Sequence, residues 1–363
     1  MPPSAKDAEL TDPREPSGAG PGGGVVATGI GSWPGTDVRE ALRVVLGELT
    51  ASVPEGVVAL PYLPELPARG PGADLLGRAA HLLVDLHVDL QPQGWRLVDR
   101  PGRDHDRAGA LWGQDLDELA EAFDGWSGPL KVQVAGPWTL ASELWLPLGD
   151  RVLSDRGATR DLVGSLAEGV AGHVATVRRL VPAAEVVLQL DEPSLTTVAS
   201  GRVRSASGYS VLRTPEEAEL VGGLREVVEA ARGAGAVQVA VHSCARDVPL
   251  DLLRRAGVDA VSLDVGLLRR PDWEGVAGLL DTGVRLWAGV LPSASGGSGG
   301  PASRDHVEGL LLRWRELGLP AADLLGLTLT PTCGLAAATP EEARAATAGT
   351  VRAAALVAEA AAG

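Results

Sequence analysis

The stretch AVQVAVHSCA, residues 236–245, decides the fold. Its first half is an almost unbroken run of small and β-branched apolar residues, and its second half turns abruptly to His242, Ser243 and Cys244. A strand with so little alternation of apolar and polar residues is covered on both faces, which is the pattern of a parallel sheet. Seven further runs share it: VVATGIGS (25–32), GVVALPYLPE (56–65), LKVQVAGPW (130–138), EVVLQLDEP (185–193), AVSLDVGL (260–267), RLWAGVLP (285–292) and LGLTLTPTCGL (325–335).

Helical patterns fill the intervals. TDVREALRVVLGEL opens on a Thr/Asp cap signal, and TPEEAELVGGLREVVEAARGAG opens on Thr-Pro-Glu-Glu and closes on glycine. SRDHVEGLLLRWRELG and TPEEARAATAGTVRAAALVAEAAAG follow the same plan. Eight strand–helix alternations predict a single (β/α)8 barrel, an α/β fold of the TIM type. The rival is an open doubly wound sheet, which asks for a G-x-G-x-x-G turn after its first strand; GIGSWPG does not supply it. The interval after the second run, 66–129, is long and is expected to carry helical pieces of its own. SASGGSGGPAS (293–303) reads as a mobile loop and a candidate lid.

Composition narrows the class. Hydrophobic residues make up 45% of the 363, with nine Trp, two Tyr and one Phe, and lysine is nearly absent beside arginine. A core of that size needs no disulfide staples. The net charge of −15, from 32 basic and 47 acidic residues, speaks against nucleic acid and anionic membranes as partners. No apolar run approaches the ~20 residues of a membrane span. Residues 1–24, rich in Pro, Gly and charge, lack the apolar segment of a secretory signal and read as a disordered tail, which leaves 25–363 as the domain. A cytoplasmic location follows. There the two cysteines of the chain stay reduced, and no Cys244–Cys333 disulfide is expected.

Barrel active sites form at the C-terminal ends of the strands, and the polar residues fall there. The runs end in Ser32, Glu65, the pair Asp191-Glu192, His242 with Cys244, Asp264 and Cys333. Residues i and i+2 of a strand face one way, so the His242 imidazole and the Cys244 thiol converge. Cys333 and Asp264 can reach the same point across the barrel. Two thiolates, an imidazole and a carboxylate suit Zn2+, which takes four ligands tetrahedrally. The plainer alternative makes both cysteines inert core residues. Consecutive Asp191 and Glu192 cannot face the same way: one points into the site and the other toward a loop or helix terminus. An inward Asp191 can bind an ammonium or act as a general base.

As a set these stretches resemble the C-terminal catalytic barrel of cobalamin-independent methionine synthase, in the short single-domain form of actinobacterial and archaeal type. GIGSWPGT (29–36) is similar to that family's opening strand, and VAGPWTL (134–140) to its Gly-Pro turn. LQLDEPSL (188–195) matches its Gln-φ-Asp-Glu-Pro element, HSCA (242–245) its His-x-Cys zinc pair, and TPTCGL (330–335) its distal zinc cysteine. The resemblance runs in order from about 25 to 360. It implies a barrel of the uroporphyrinogen-decarboxylase/methionine-synthase type and a zinc methyltransferase of methionine biosynthesis. Zn2+ would be held by His242, Cys244, Cys333 and, where the family has a glutamate, Asp264. Homocysteine would be held through its carboxylate by Ile30, Gly31 and Ser32. Its amino group would meet Asp191 and, by a looser match in LPELPARG, Glu65.

The donor implied by the family is methyltetrahydrofolate. Two departures bear on it. The chain has no second barrel ahead of this one. The loop after the seventh run carries no Asp-x-His element, which the family links to protonating the leaving folate, before Asp305 and His306. An aromatic-rich folate loop is not evident after the second run, where QPQGWRL offers Trp95. Short relatives point instead to methylcobalamin or a corrinoid protein as donor. A zinc thiol alkyltransferase acting on another thiol, and a non-catalytic zinc-binding barrel, are the competing readings.

Overall fold

The computed structural model describes residues 23–293 and 304–363. The expected tail over 1–24, apart from its last two glycines, and the candidate lid over 293–303, apart from Ser293, lie outside the described residues.

All eight apolar runs form strands. In chain order, β1 (Val25–Ala27) leads to α1 (Val38–Thr50), whose N-terminus is capped by Asp37 accepting from the Glu40 amide at 3.0 Å. β2 (Val57–Ala59) is followed by α2 (Leu75–His81), the antiparallel pair β3 (His87–Gln91) and β4 (Gly94–Val98), and α3 (Arg103–Ala122). The long interval after β2 thus holds the helical pieces expected and also a hairpin that was not. HVDLQ and GWRLV flank a two-residue turn at Pro92-Gln93, the geometry of a tight hairpin.

β5 (Pro129–Ala135), α4 (Pro137–Glu143), α5 (Arg156–Leu180), β6 (Glu185–Asp191), α6 (Leu195–Ala199) and α7 (Glu217–Gly233) continue the alternation. β7 (Gln238–Ser243), α8 (Leu250–Ala256), β8 (Ala260–Asp264), α9 (Arg270–Asp281), β9 (Arg285–Leu291), α10 (Arg304–Glu316), β10 (Thr328–Pro331) and α11 (Pro340–Ala362) complete it. The final helix starts with a capping box: Thr339 Oγ1 accepts from the Glu342 amide, and the Glu342 carboxylate accepts from the Thr339 amide.

The sheet runs β2-β1-β10-β9-β8-β7-β6-β5, every pair parallel. Its two edges meet at a Tyr62–Lys131 bridge, where the Lys131 amide donates to Pro61 O at 2.9 Å and the Leu63 amide donates to Lys131 O at 3.1 Å. The barrel is closed there. Two apolar layers result. A large one lies between strands and helices, and a small one, made by Val26, Leu60, Val187, Ala240, Ala260 and Trp287, forms a separate cluster.

Strand period places the site on the face of that smaller cluster. From Val187 the face of β6 continues through Gln189 to Asp191; from Ala240, β7 continues to His242; from Ala260, β8 continues through Ser262 to Asp264. The interior is apolar toward the strand N-termini and polar toward their C-termini. No helix among the described residues is long and apolar enough to cross a membrane.

Candidate metal centre and substrate pocket

His242, at the end of β7, is buried, and its Nδ1 lies 3.0 Å from the Ser262 hydroxyl on the neighbouring strand β8. Its Nε2 is buried and has no hydrogen-bond partner among the described residues. Beyond β7 comes Cys244, and beyond β10 comes Cys333. The ligand atoms of these three residues all lie within 4.8 Å of one another. Both thiols are free, and Cys333 Sγ donates to Cys244 Sγ at 3.1 Å. That bond draws the Cys244 thiol down to about 7 and, from the donor side, holds Cys333 up at about 12. The pair therefore tends toward one thiol and one thiolate. An imidazole with an unsatisfied buried nitrogen facing two sulfurs is a donor set that suits zinc.

Asp264 is not part of this cluster. Its Oδ1 accepts from the Gly266 amide at 2.9 Å and caps the short 3-10 turn that follows β8. Three of the four expected ligands thus converge, while Oδ1 of the fourth, Asp264, is engaged by its own loop.

The cluster forms one wall of a cavity of about 240 Å3 whose other lining residues include Ile30, Ser32, Glu65 and Asp191. Ser32 and Glu65 face each other across a parallel bridge, with the Trp33 amide donating to Glu65 O and the Glu65 amide to Gly31 O. At Gly334 a Cβ would come within 2.0 Å of Ser32 Oγ, so any larger residue after Cys333 would displace the serine hydroxyl from its place between the two loops. All the residues expected at the site except Gly31 and Asp264 thus border one cavity or belong to the sulfur cluster, and Gly31 lies between Ile30 and Ser32.

Asp191 points inward and accepts from Gln189 Nε2 at 2.7 Å. Burial raises its pKa, while His242 and Lys131 oppose the rise. Glu192 turns away, as the alternation requires. Its carboxylate accepts from the amides of Trp138 and Thr139 and from the Thr139 hydroxyl, capping α4 on the neighbouring loop. Glu65 is buried, and burial lifts its pKa to about 7 against the pull of Arg78, whose guanidinium lies 3.5 Å away. Arg78 is itself buried against Asp115 and lies over the Trp112 ring.

Sequence reasoning missed Arg78, Ser262 and Lys131, and gave Gln189, part of the Gln-φ-Asp-Glu-Pro match, no role. Arg78 looks like a surface residue of a helix. Ser262 and Gln189 carried a signal, since each is a polar residue two positions before a strand-end polar residue. Lys131 carried the clearest one, as a charged residue inside an apolar strand.

A closed (β/α)8 barrel with a His-x-Cys and a distal Cys converging at its strand ends defines a class of barrels with a candidate metal centre. The family of the cobalamin-independent synthase catalytic domain matches residues 148–356, more than half of the chain, and the protein belongs to that family. The matched region contains Asp191, His242, Cys244 and Cys333. The structure is similar to that of a B12-independent methionine synthase from Shewanella sp. W3-18-1 in complex with selenomethionine, with a TM-score of 0.60 over 92% of this chain and 97% of that one. At 12% identity this likeness concerns the fold. A β-galactosidase from Marinomonas ef1 aligns more weakly, with 12% identity, 92% of this chain, 59% of that one and a TM-score of 0.42. No curated protein matches the sequence.

Proposed function

We propose that the protein is a zinc-dependent methyltransferase that makes methionine by methylating the thiol of homocysteine. The observation that carries this reading is the convergence of His242, Cys244 and Cys333 within 4.8 Å beside a cavity lined by two buried carboxylates. His242, Cys244 and Cys333 would hold the zinc, leaving a position for a substrate sulfur, as catalytic sites with three protein ligands do. When bound, zinc supplies the deprotonation of that thiol at neutral pH.

The rest falls to the chain's own side chains. The turn Ile30–Ser32 receives the substrate carboxylate through backbone amides and the Ser32 hydroxyl. Asp191 and Glu65 receive the ammonium, and their spread across the cavity orients the thiol toward the sulfur cluster. Positioning of this kind converts a bimolecular encounter into an ordered one. The methyl donor is methyltetrahydrofolate by family. The absence of an Asp-x-His element from the loop after β9 favours a corrinoid carrier as the second reading. Residues 25–363 act as one catalytic unit, since a single apolar cluster reaches from Val25 to Ala358. Its two free thiols suit the cytoplasm.

The test is a methyl-transfer assay with homocysteine, offering methyltetrahydrofolate and methylcobalamin in parallel on zinc-loaded protein. Methionine should form with one of them, and the Cys333→Ser variant should lose both zinc and activity. Methionine from neither donor would overturn the reading in favour of another thiol or a non-catalytic zinc barrel.

A further inference from the structure

The chain contains two lysines, Lys6 and Lys131; its other cationic side chains are arginines. Lys131 sits on β5 and is completely buried. An ammonium has three N–H donors, and each finds an acceptor here: Ile30 O at 2.6 Å, Gln189 Oε1 at 3.0 Å and Gln133 Oε1 at 3.1 Å. The face of the Tyr62 ring lies 4.9 Å away. None of these partners is a carboxylate. A buried cation held by neutral acceptors alone is costly, and arginine, with five donors in a fixed fork, could not occupy the same three-acceptor seat.

Each partner leads to the substrate pocket. The Ile30 carbonyl begins the Ile30–Ser32 turn. Because Gln189 accepts from Lys131 through Oε1, its Nε2 is left to donate, and it donates to Asp191 Oδ1 at 2.7 Å and to Ile30 O at 2.8 Å. Gln133 is fixed in the same way and donates through Nε2 to Leu63 O at 2.7 Å, on the segment that carries Glu65. Without the ammonium, both amides could turn over and present oxygen to Asp191 and to Leu63 O. Burial draws the Lys131 pKa down to about 7, and the Asp191 and Glu65 carboxylates oppose that fall, which couples the lysine to both acids of the pocket.

We propose that Lys131 is the positioning residue that makes this site select an amino acid among thiols, by holding the Ile30–Ser32 turn and by orienting Gln189 so that Asp191 meets a substrate ammonium. The inference rests on the pocket assignment made above. Lys131 does not touch the substrate; it acts through Gln189 and the Ile30 carbonyl.

The experiment compares homocysteine with 4-mercaptobutyrate, the same thiol acid without the amino group, for wild type and Lys131→Met. Zinc-loaded protein is used, and both kcat/KM and calorimetric binding are measured. The wild type should prefer homocysteine, and the variant should lose roughly 10- to 100-fold of that preference, the scale of a hydrogen bond to a charged group. A purely structural role would lower both substrates together and leave the ratio unchanged, which would overturn the inference. If Lys131→Met does not fold, Gln189→Leu breaks the same relay with the lysine in place and should lose the preference as well; its retention would overturn the inference. A wild type with no preference for homocysteine in either measurement would overturn the pocket assignment, and the role of Lys131 with it.

Discussion

His242 on β7 and Ser262 on β8 meet at 3.0 Å through Nδ1, and this contact leaves Nε2 to face the two cysteines. The serine therefore selects the ring nitrogen and the ring orientation with which the histidine would approach a metal. Outer partners of this kind tune affinity without touching the ion. Ser262→Ala should weaken zinc binding about 10- to 100-fold while preserving the circular dichroism spectrum. Competition with a chelating dye measures it, and an unchanged affinity would remove Ser262 from the metal centre.

The fate of Asp264 gives a second prediction. Its carboxylate caps the turn after β8 and stands outside the sulfur cluster. Asp264→Asn should retain about one zinc per chain, as a site with three protein ligands requires. Metal analysis after dialysis checks this. Loss of the metal would return Asp264 to the ligand set.

Asp115 is completely buried between Arg78 and Arg69, the latter at 2.7 Å. Removing one member of a buried ionic group leaves the others uncompensated, at roughly 3–5 kcal/mol. Asp115→Ala should lower stability in urea by about that amount. It should also raise KM for the amino-acid substrate, because Arg78 is the ion partner of Glu65.

Glu192 provides a pH signature. Burial holds its pKa at about 7, above the ordinary 4.5, in spite of the three donors it accepts from. A carboxyl whose pKa is higher in the folded than in the unfolded state binds its proton more tightly when folded. Its stabilisation is complete below about pH 4.5 and is lost as pH rises through about 7. Glutamine does not titrate, so stability should fall less steeply between those two values in Glu192→Gln. The difference is at most ~3 kcal/mol. Parallel stability–pH curves for variant and wild type would show Glu192 ionised throughout.

The barrel was legible because covered parallel strands leave an unambiguous trace: eight apolar runs gave eight strands, each within a few residues of its expected place. The ends of those runs marked Asp191, His242, Cys244 and Cys333 for the same reason, since polarity there has no packing explanation. Less could be read where the evidence is pairwise. The β3–β4 hairpin hid inside an interval that looked helical, because five-residue strands with partly polar faces carry little periodic signal. Arg78 owes its burial to Asp115 and Glu65, which approach from other elements. The cap that Asp264 gives the turn after β8 was not legible either, because an aspartate at a strand end suits a cap and a ligand equally.

β10 lies between β1 and β9, with Thr328 opposite Val26 and also opposite Trp287. The Gly334 backbone rests on Ser32, and the Leu335 amide donates to Ser32 O at 2.9 Å. During synthesis the ribosome releases the Ile30–Ser32 turn early and Cys333 late. The nascent chain therefore emerges with His242 and Cys244 still awaiting their third donor, and with a turn whose far wall has not yet been made. Insertion of the last strand completes both at once, so the candidate site comes into being when the two ends of the barrel join and at no earlier stage of folding.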